Sequence, residues 1–118
     1  MTTKETIQRY FEALREKQHW ESFFADDIVF TSYTSPVRQL NGRETCIQAT
    51  KRFYSMIVNV SVRDLIVEGD KACALTHYEL RPPTGAPAFE SDVAEVFSVS
   101  NGKIISFGIY FDSAPYPK

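Results

Sequence analysis

The chain predicts an α+β domain, with helices at the N-terminal end packed on one face of an antiparallel sheet. Three observations carry this reading. Apolar residues recur at helical spacing near the N terminus; the period changes to two from Val58 onward; and Gly69-Asp70 and Asn101-Gly102 divide the second half into strands joined by tight turns. At 118 residues the chain fits one domain, 1–118, long enough for a single core and too short for two.

Thr2 and Glu5 form a T-x-x-E capping box, and Ile7, Tyr10, Phe11 and Leu14 follow at i, i+3, i+4 and i+7, which predicts an amphipathic first helix to about Gln18. Trp20, Phe23 and Phe24 suggest a short second helix folding back over the same core, ended by Asp26-Asp27 as turn formers. Ile28 to Ser35 reads as a strand closed by Pro36. Asn41-Gly42-Arg43-Glu44 reads as a helix start, with Asn41 as cap and Glu44 at the capping-box position, and Ile47, Phe53, Tyr54 and Ile57 supply the apolar stripe of a third helix. Val58, Val60 and Val62 then alternate, and the phase shifts around Arg63-Asp64, as a bulge would shift it. Lys71 to Leu80 is the next strand. Pro82, Pro83, Gly85 and Pro87 mark a long loop before two final strands flanking Asn101-Gly102.

Within the first of these final strands one residue breaks the pattern. Val93, Phe97 and Val99 read as a buried face, and Glu95 shares it. A two-residue turn would set Glu95 opposite Gly108 and mix polar with apolar groups on both faces. A three-residue loop, Ser100-Asn101-Gly102, sets Val99 opposite Lys103 and Glu95 opposite Phe107. It gathers Val93, Glu95, Phe97 and Val99 beside Ile105, Phe107, Ile109 and Phe111, so this register is the one expected. A carboxyl held among apolar groups finds strong partners or surrenders its charge, and a neutral acid in a pocket can donate a hydrogen bond.

A net charge of −2 with both signs mixed along the chain offers no basic stripe, so nucleic-acid binding is not expected. Cys46 and Cys73 lack any CxxC or disulfide-dense spacing and read as reduced thiols. No apolar run approaches the roughly 18 residues a membrane span needs, and the expected location is the cytoplasm. The opposite sheet face mixes Ala94, Val96 and Tyr110 with Asp92, Ser98 and Asp112, a composition suited to a partner subunit, and predicts a homodimer. Neither a GxGxxG, a P-loop nor a GxSxG occurs, so no nucleotide cofactor is expected. Two histidines, His19 and His77, with no carboxylate at ligand spacing give no metal site.

Gln8-Arg9-Tyr10-Phe11-Glu12-Ala13-Leu14, Phe24-Ala25-Asp26-Asp27, Asn41-Gly42-Arg43-Glu44, Asn101-Gly102-Lys103-Ile104 and the closing Tyr110-Phe111-Asp112 resemble, in order and spacing, the nuclear transport factor 2-like superfamily. The similarity is to its SnoaL-like and ketosteroid isomerase-like members and covers nearly the whole chain. It implies a cystatin-like cone in which a curved antiparallel sheet wraps a long helix and leaves an apolar pocket, and dimerisation through the sheet. The ketosteroid isomerases pair a tyrosine on the first helix with a protonated aspartate on a late strand as an oxyanion hole, and use an aspartate base after the first strand. Tyr10 matches the tyrosine and Glu95 the protonated acid; the base position falls on Ser32, which cannot take a proton from carbon near neutral pH without help.

The resulting expectation is a small-molecule-binding protein, with Tyr10 and Glu95 donating to a ligand oxygen. If it catalyses a reaction, that reaction is proton transfer beside a carbonyl, isomerisation or cyclisation, without a cofactor. His77 and Asp112 stand as secondary acid/base candidates. Trp20, Phe30, Ser32, Tyr33, Phe53 and Phe97 are candidate pocket residues. The alternative is a non-catalytic ligand-binding or dimerisation module, and plain core packing would account for Tyr10 and the aromatic residues equally well.

Overall fold

The computed structural model describes residues 1–34 and 36–116. Two helices pack on one face of a curved, open sheet of six strands: α1 Thr3–Glu16, β1 Phe24–Ser32, β2 Arg38–Asn41, α2 Arg43–Ser55, β3 Ile57–Glu68, β4 Lys71–Leu80, β5 Phe89–Ser100 and β6 Lys103–Phe111. The strand order is β2-β1-β6-β5-β4-β3. All neighbours are antiparallel except β1 and β6, which run parallel, because the first strand returns to the sheet beside the last.

The capping box forms as expected: Thr2 Oγ1 accepts from the Glu5 N–H at 3.1 Å, and the Glu5 carboxylate accepts from the Thr2 N–H at 3.3 Å. Ile7, Tyr10, Phe11 and Leu14 are all buried. The helix stops at Glu16 rather than Gln18, since Lys17 turns left-handed (φ 55°) and its N–H returns to the Leu14 carbonyl. Trp20–Phe23 is a single 3₁₀ turn, and Phe24 already belongs to β1.

Asp26 and Asp27 are not turn formers. They lie exposed within β1, where its pairing with β6 is irregular between Phe24 and Val29, so the strand stays extended without burying them. The strand ends at Ser32; the expected limit, Ser35, lies outside the described residues. The short strand β2 escapes sequence reading, and it changes the start of the next helix. Asn41 pairs with Val29 as the last β2 residue, so it does not cap α2; Gly42 occupies that position at φ 94°, with its N–H on the Ile28 carbonyl. Glu44 accepts from Gln48 instead of completing a box.

The β3 to β6 meander has the expected irregularity between Val62 and Asp64, but a second one between Ile57 and Asn59 corrects the start of β3: Ile57 belongs to the strand and is buried, and Val58 is exposed while Val60 is buried. The last hairpin corrects the expected register. Ser100 pairs with Lys103 across a two-residue Asn101-Gly102 turn, with φ of 51° and 73°, the left-handed pair of a type I′ turn. An irregularity between Ser98 and Val99 then moves the pairing on, so that Glu95 faces Ile109 rather than Phe107. The face assignment survives this combination of turn and bulge for Glu95, Phe97 and Phe107. It fails for Ile105, which is exposed while Ile104 is fully buried.

The helices divide the inner face. α1 covers β3, β4 and β5 and seals the core around Tyr10, Phe11, Phe97 and Leu14; α2 lies against β1 and β2. Between α2 and the sheet the packing does not close.

Candidate functional site

A cavity of about 420 Å³ occupies this gap. Ala49, Thr50, Phe53 and Tyr54 of α2 form its roof. Phe30 and Ser32 of β1, Arg38 and Leu40 of β2, Phe107, Ile109 and Phe111 of β6, and Tyr116 close the sides, and Tyr78, Val93 and Glu95 form its inner end. The alternation of each strand explains the membership: Phe30 with Ser32, Arg38 with Leu40, and Val93 with Glu95 are two apart and share a face.

Glu95 is 2% exposed. Its Oε2 lies 2.6 Å from Thr76 Oγ1 and 2.8 Å from the Tyr78 hydroxyl. Thr76 also lies 3.0 Å from the Val93 carbonyl. With Glu95 ionised, both hydroxyls donate to Oε2. With Glu95 protonated on Oε2, the acid donates to Thr76, which turns its own hydrogen to Val93. The network therefore accommodates either protonation state. No hydrogen bond to Oε1 comes from the described residues. Since no sealed side-chain nitrogen or oxygen among them is left without a partner, Oε1 is open to the cavity. Burial pushes the carboxyl up to about 7, and the hydrogen bonds from Thr76 and Tyr78 hold it from going higher.

The structure brings only part of the expected site together. Glu95, Phe30, Ser32 and Phe53 line the cavity. Tyr10 does not: it is fully buried in α1, and its hydroxyl meets that of Tyr54, 2.5 Å away, from behind. The tyrosine that reaches Glu95 is Tyr78. Burial, with the nearby Tyr54, Glu95 and Tyr78, holds the Tyr10 phenol well above its usual value. Trp20 packs edge-on to Tyr54 behind the cavity wall, and Phe97 stacks on Phe107 beneath it. Tyr33 lies past the end of β1, stacked on Tyr110 and away from the cavity. His77 is on the outer face, between Asp92 at 2.8 Å and Glu90 at 3.1 Å, and the two carboxylates raise its pKa. Asp112, just beyond β6, accepts from the Ala114 N–H and does not line the cavity.

Sequence reading missed Tyr78, Thr76 and Arg38. Thr76 and Tyr78 carried a signal, because they alternate with Ala72, Ala74 and Leu80 on one face of a strand that neighbours β5. Arg38 carried none, since β2 itself was not legible.

The chain belongs to the SnoaL-like domain family, whose model matches residues 7–107. Solved structures extend the likeness at the level of fold. A nuclear transport factor 2-like protein from Burkholderia thailandensis superposes with a TM-score of 0.81 at 17% identity, over 98% of this chain and 94% of its own. A protein given as a SnoaL-like polyketide cyclase, from a Jannaschia species, gives 0.79 at 18% identity, over 98% and 93%. A protein of ketosteroid isomerase-like fold from Catenulispora acidiphila, in complex with trimethylamine, gives 0.77 at 18%, over 94% and 88%. No curated protein matches the chain. No helix among the described residues is long and apolar enough to cross a membrane.

Proposed function

We propose that the cavity binds a small, largely apolar molecule whose carbonyl or hydroxyl oxygen meets Glu95 Oε1. One observation carries this reading: a buried carboxyl with one oxygen saturated by Thr76 and Tyr78 and the other open to an apolar cavity. A volume of about 420 Å³ falls within the roughly 300–1,000 Å³ of small-molecule sites. Near neutral pH both forms of Glu95 are populated, so it can donate to a carbonyl when neutral or accept from a hydroxyl when ionised.

The same poise suits proton transfer beside a carbonyl, the isomerase or cyclase chemistry suggested by the family and by the Jannaschia relative. Glu95 is the one carboxyl lining the cavity among the described residues, and Ser32 stands where a base was expected. In such a reaction Glu95 takes the proton from carbon and returns it. Tyr54, backed by Tyr10, is a neutral donor for the developing oxyanion, which assigns Tyr10 a positioning role. The absence of a second acid or base from the described lining favours a non-catalytic binding module as the second reading, in which the same contacts hold a ligand without turnover.

We further propose a homodimer through the outer sheet face, where Leu75, Val96 and Tyr110 are exposed on neighbouring strands with Tyr33 stacked on Tyr110, and a cytoplasmic location, which suits the free thiols of Cys46 and Cys73.

Binding of 2-naphthol, followed by its fluorescence, tests the site. Wild type should bind it, Glu95→Gln should retain binding through its amide, and Glu95→Leu should weaken it about tenfold, the equivalent of one net hydrogen bond of about 1.4 kcal/mol. Equal affinity in wild type, Glu95→Leu and the remote surface variant Glu68→Gln would remove Glu95 from the site.

A further inference from the structure

The cavity is polar at two places along one row of the sheet. Strand register sets them in one row: Glu95 pairs with Ile109, Ile109 with Ser32, and Ser32 with Arg38. All four side chains line the cavity. Three strand spacings of about 4.8 Å separate the backbone of Glu95 from that of Arg38, about 14 Å in all. Both side chains stand on the inner, cavity-lining face of that span, with Ser32 and Ile109 between them in the row.

Glu95 is deeply buried and Arg38 is exposed at the rim. The guanidinium carries a permanent charge, and no carboxylate among the described residues forms an ion pair with it. Beside it, the Ser32 hydroxyl enters no hydrogen bond within the described part of the chain, whereas Thr50, Tyr54, Tyr78 and Tyr116 are each engaged. One largely apolar cavity thus holds a neutral or singly charged acid and an uncommitted cation with a hydroxyl at its side.

We propose that the ligand is a monocarboxylate: a flat apolar body with a carbonyl or hydroxyl at one end, bound to Glu95, and a carboxylate at the other, bound to Arg38 and Ser32. This rests on the reading of the cavity as a ligand site at Glu95 and specifies the far end of the ligand. A guanidinium receives a carboxylate through two parallel N–H donors, and the Ser32 O–H supplies a third. Carboxylate is favoured over phosphate monoester because one cation matches one negative charge, and the neighbouring rim, Leu40, Ile109 and Phe111, offers no second cation to a dianion. Ile109, between Ser32 and Glu95 in the row, supplies the apolar floor for the body.

The probe is 6-hydroxy-2-naphthoate, which carries a hydroxyl and a carboxylate at opposite ends of two fused rings, compared with its methyl ester and with 2-naphthol. Wild type should bind the acid at least tenfold more tightly than the ester. Arg38→Met should abolish that preference, weakening the acid at least tenfold more than it weakens 2-naphthol, and Arg38→Lys should keep part of it. Glu95→Leu should weaken all three probes alike. Equal binding of acid and ester by wild type, or an equal loss of all three in Arg38→Met, would overturn the carboxylate assignment while leaving the cavity reading intact. Failure of every probe to bind wild type would overturn both.

Discussion

Glu95 answers two opposing pulls with one side chain. Removal from water favours its neutral form, while Thr76 and Tyr78 favour the ionised one, and the outcome is a carboxyl raised to about 7. A raised acid has a signed effect on folding. Below about pH 4.5 the group is neutral in folded and unfolded chains, and its full contribution is retained. As pH rises towards 7 the unfolded chain ionises first, so stability falls; above 7 the loss is complete, at about 3 kcal/mol for a shift of this size. Glu95→Gln has no such proton to lose. Urea unfolding at pH 5 and pH 8 should show wild type weakening relative to Glu95→Gln by an amount of this order, and parallel behaviour of the two proteins would contradict it. Single residues were legible to different depths. Glu95 stood out because a charged group interrupted an alternating apolar face. Helical periodicity places Tyr10 on the buried face of α1, but it fixes which face a residue lies on and not which neighbour its hydroxyl meets, and in the structure that neighbour is Tyr54 while Tyr78 meets Glu95.

At the scale of elements, local signals were read well and long-range pairing poorly. The capping box of α1 is written in four adjacent residues, and Thr2→Ala should cost about 1 kcal/mol in thermal or urea unfolding, with Thr2→Ser close to wild type. The strand from Lys71 to Leu80 was bounded correctly because turn residues flank it and its burial alternates. β2 was missed because four residues are too few to show a period. The parallel contact of β1 with β6 joins segments about eighty residues apart and leaves no local trace. The last hairpin shows how two features can offset each other. A type I′ turn alone would have put Glu95 opposite Gly108, and the bulge at Ser98 and Val99 restores it to the inner face opposite Ile109. Three of the six expected pocket residues stay outside the cavity: Trp20 and Phe97 are core residues behind its wall, and Tyr33 lies past the end of β1, stacked on Tyr110.

For the molecule as a whole, the two helices divide the labour. α1 completes a packed core at one end of the sheet, while α2 stands over the other end and leaves the cavity, so the site depends on an incomplete layer and not on an inserted loop. The sheet's outer face exposes Leu75, Val96 and Tyr110, and a dimer through it would leave the cavity free on the opposite side. Val96→Glu places a charge at the middle of that face; in solution at micromolar concentration, light scattering should give a dimer for wild type and a monomer for the variant, and a monomer for both would end the dimer proposal. The carboxyl at the inner end of the cavity is tested most directly by titrating the Glu95 side-chain carbon by ¹³C NMR, assigned by comparison with Glu95→Gln. The midpoint should lie near 7; a midpoint near the ordinary glutamate value of about 4.3 would contradict the account of Glu95 as a buried, neutralisable group facing a ligand.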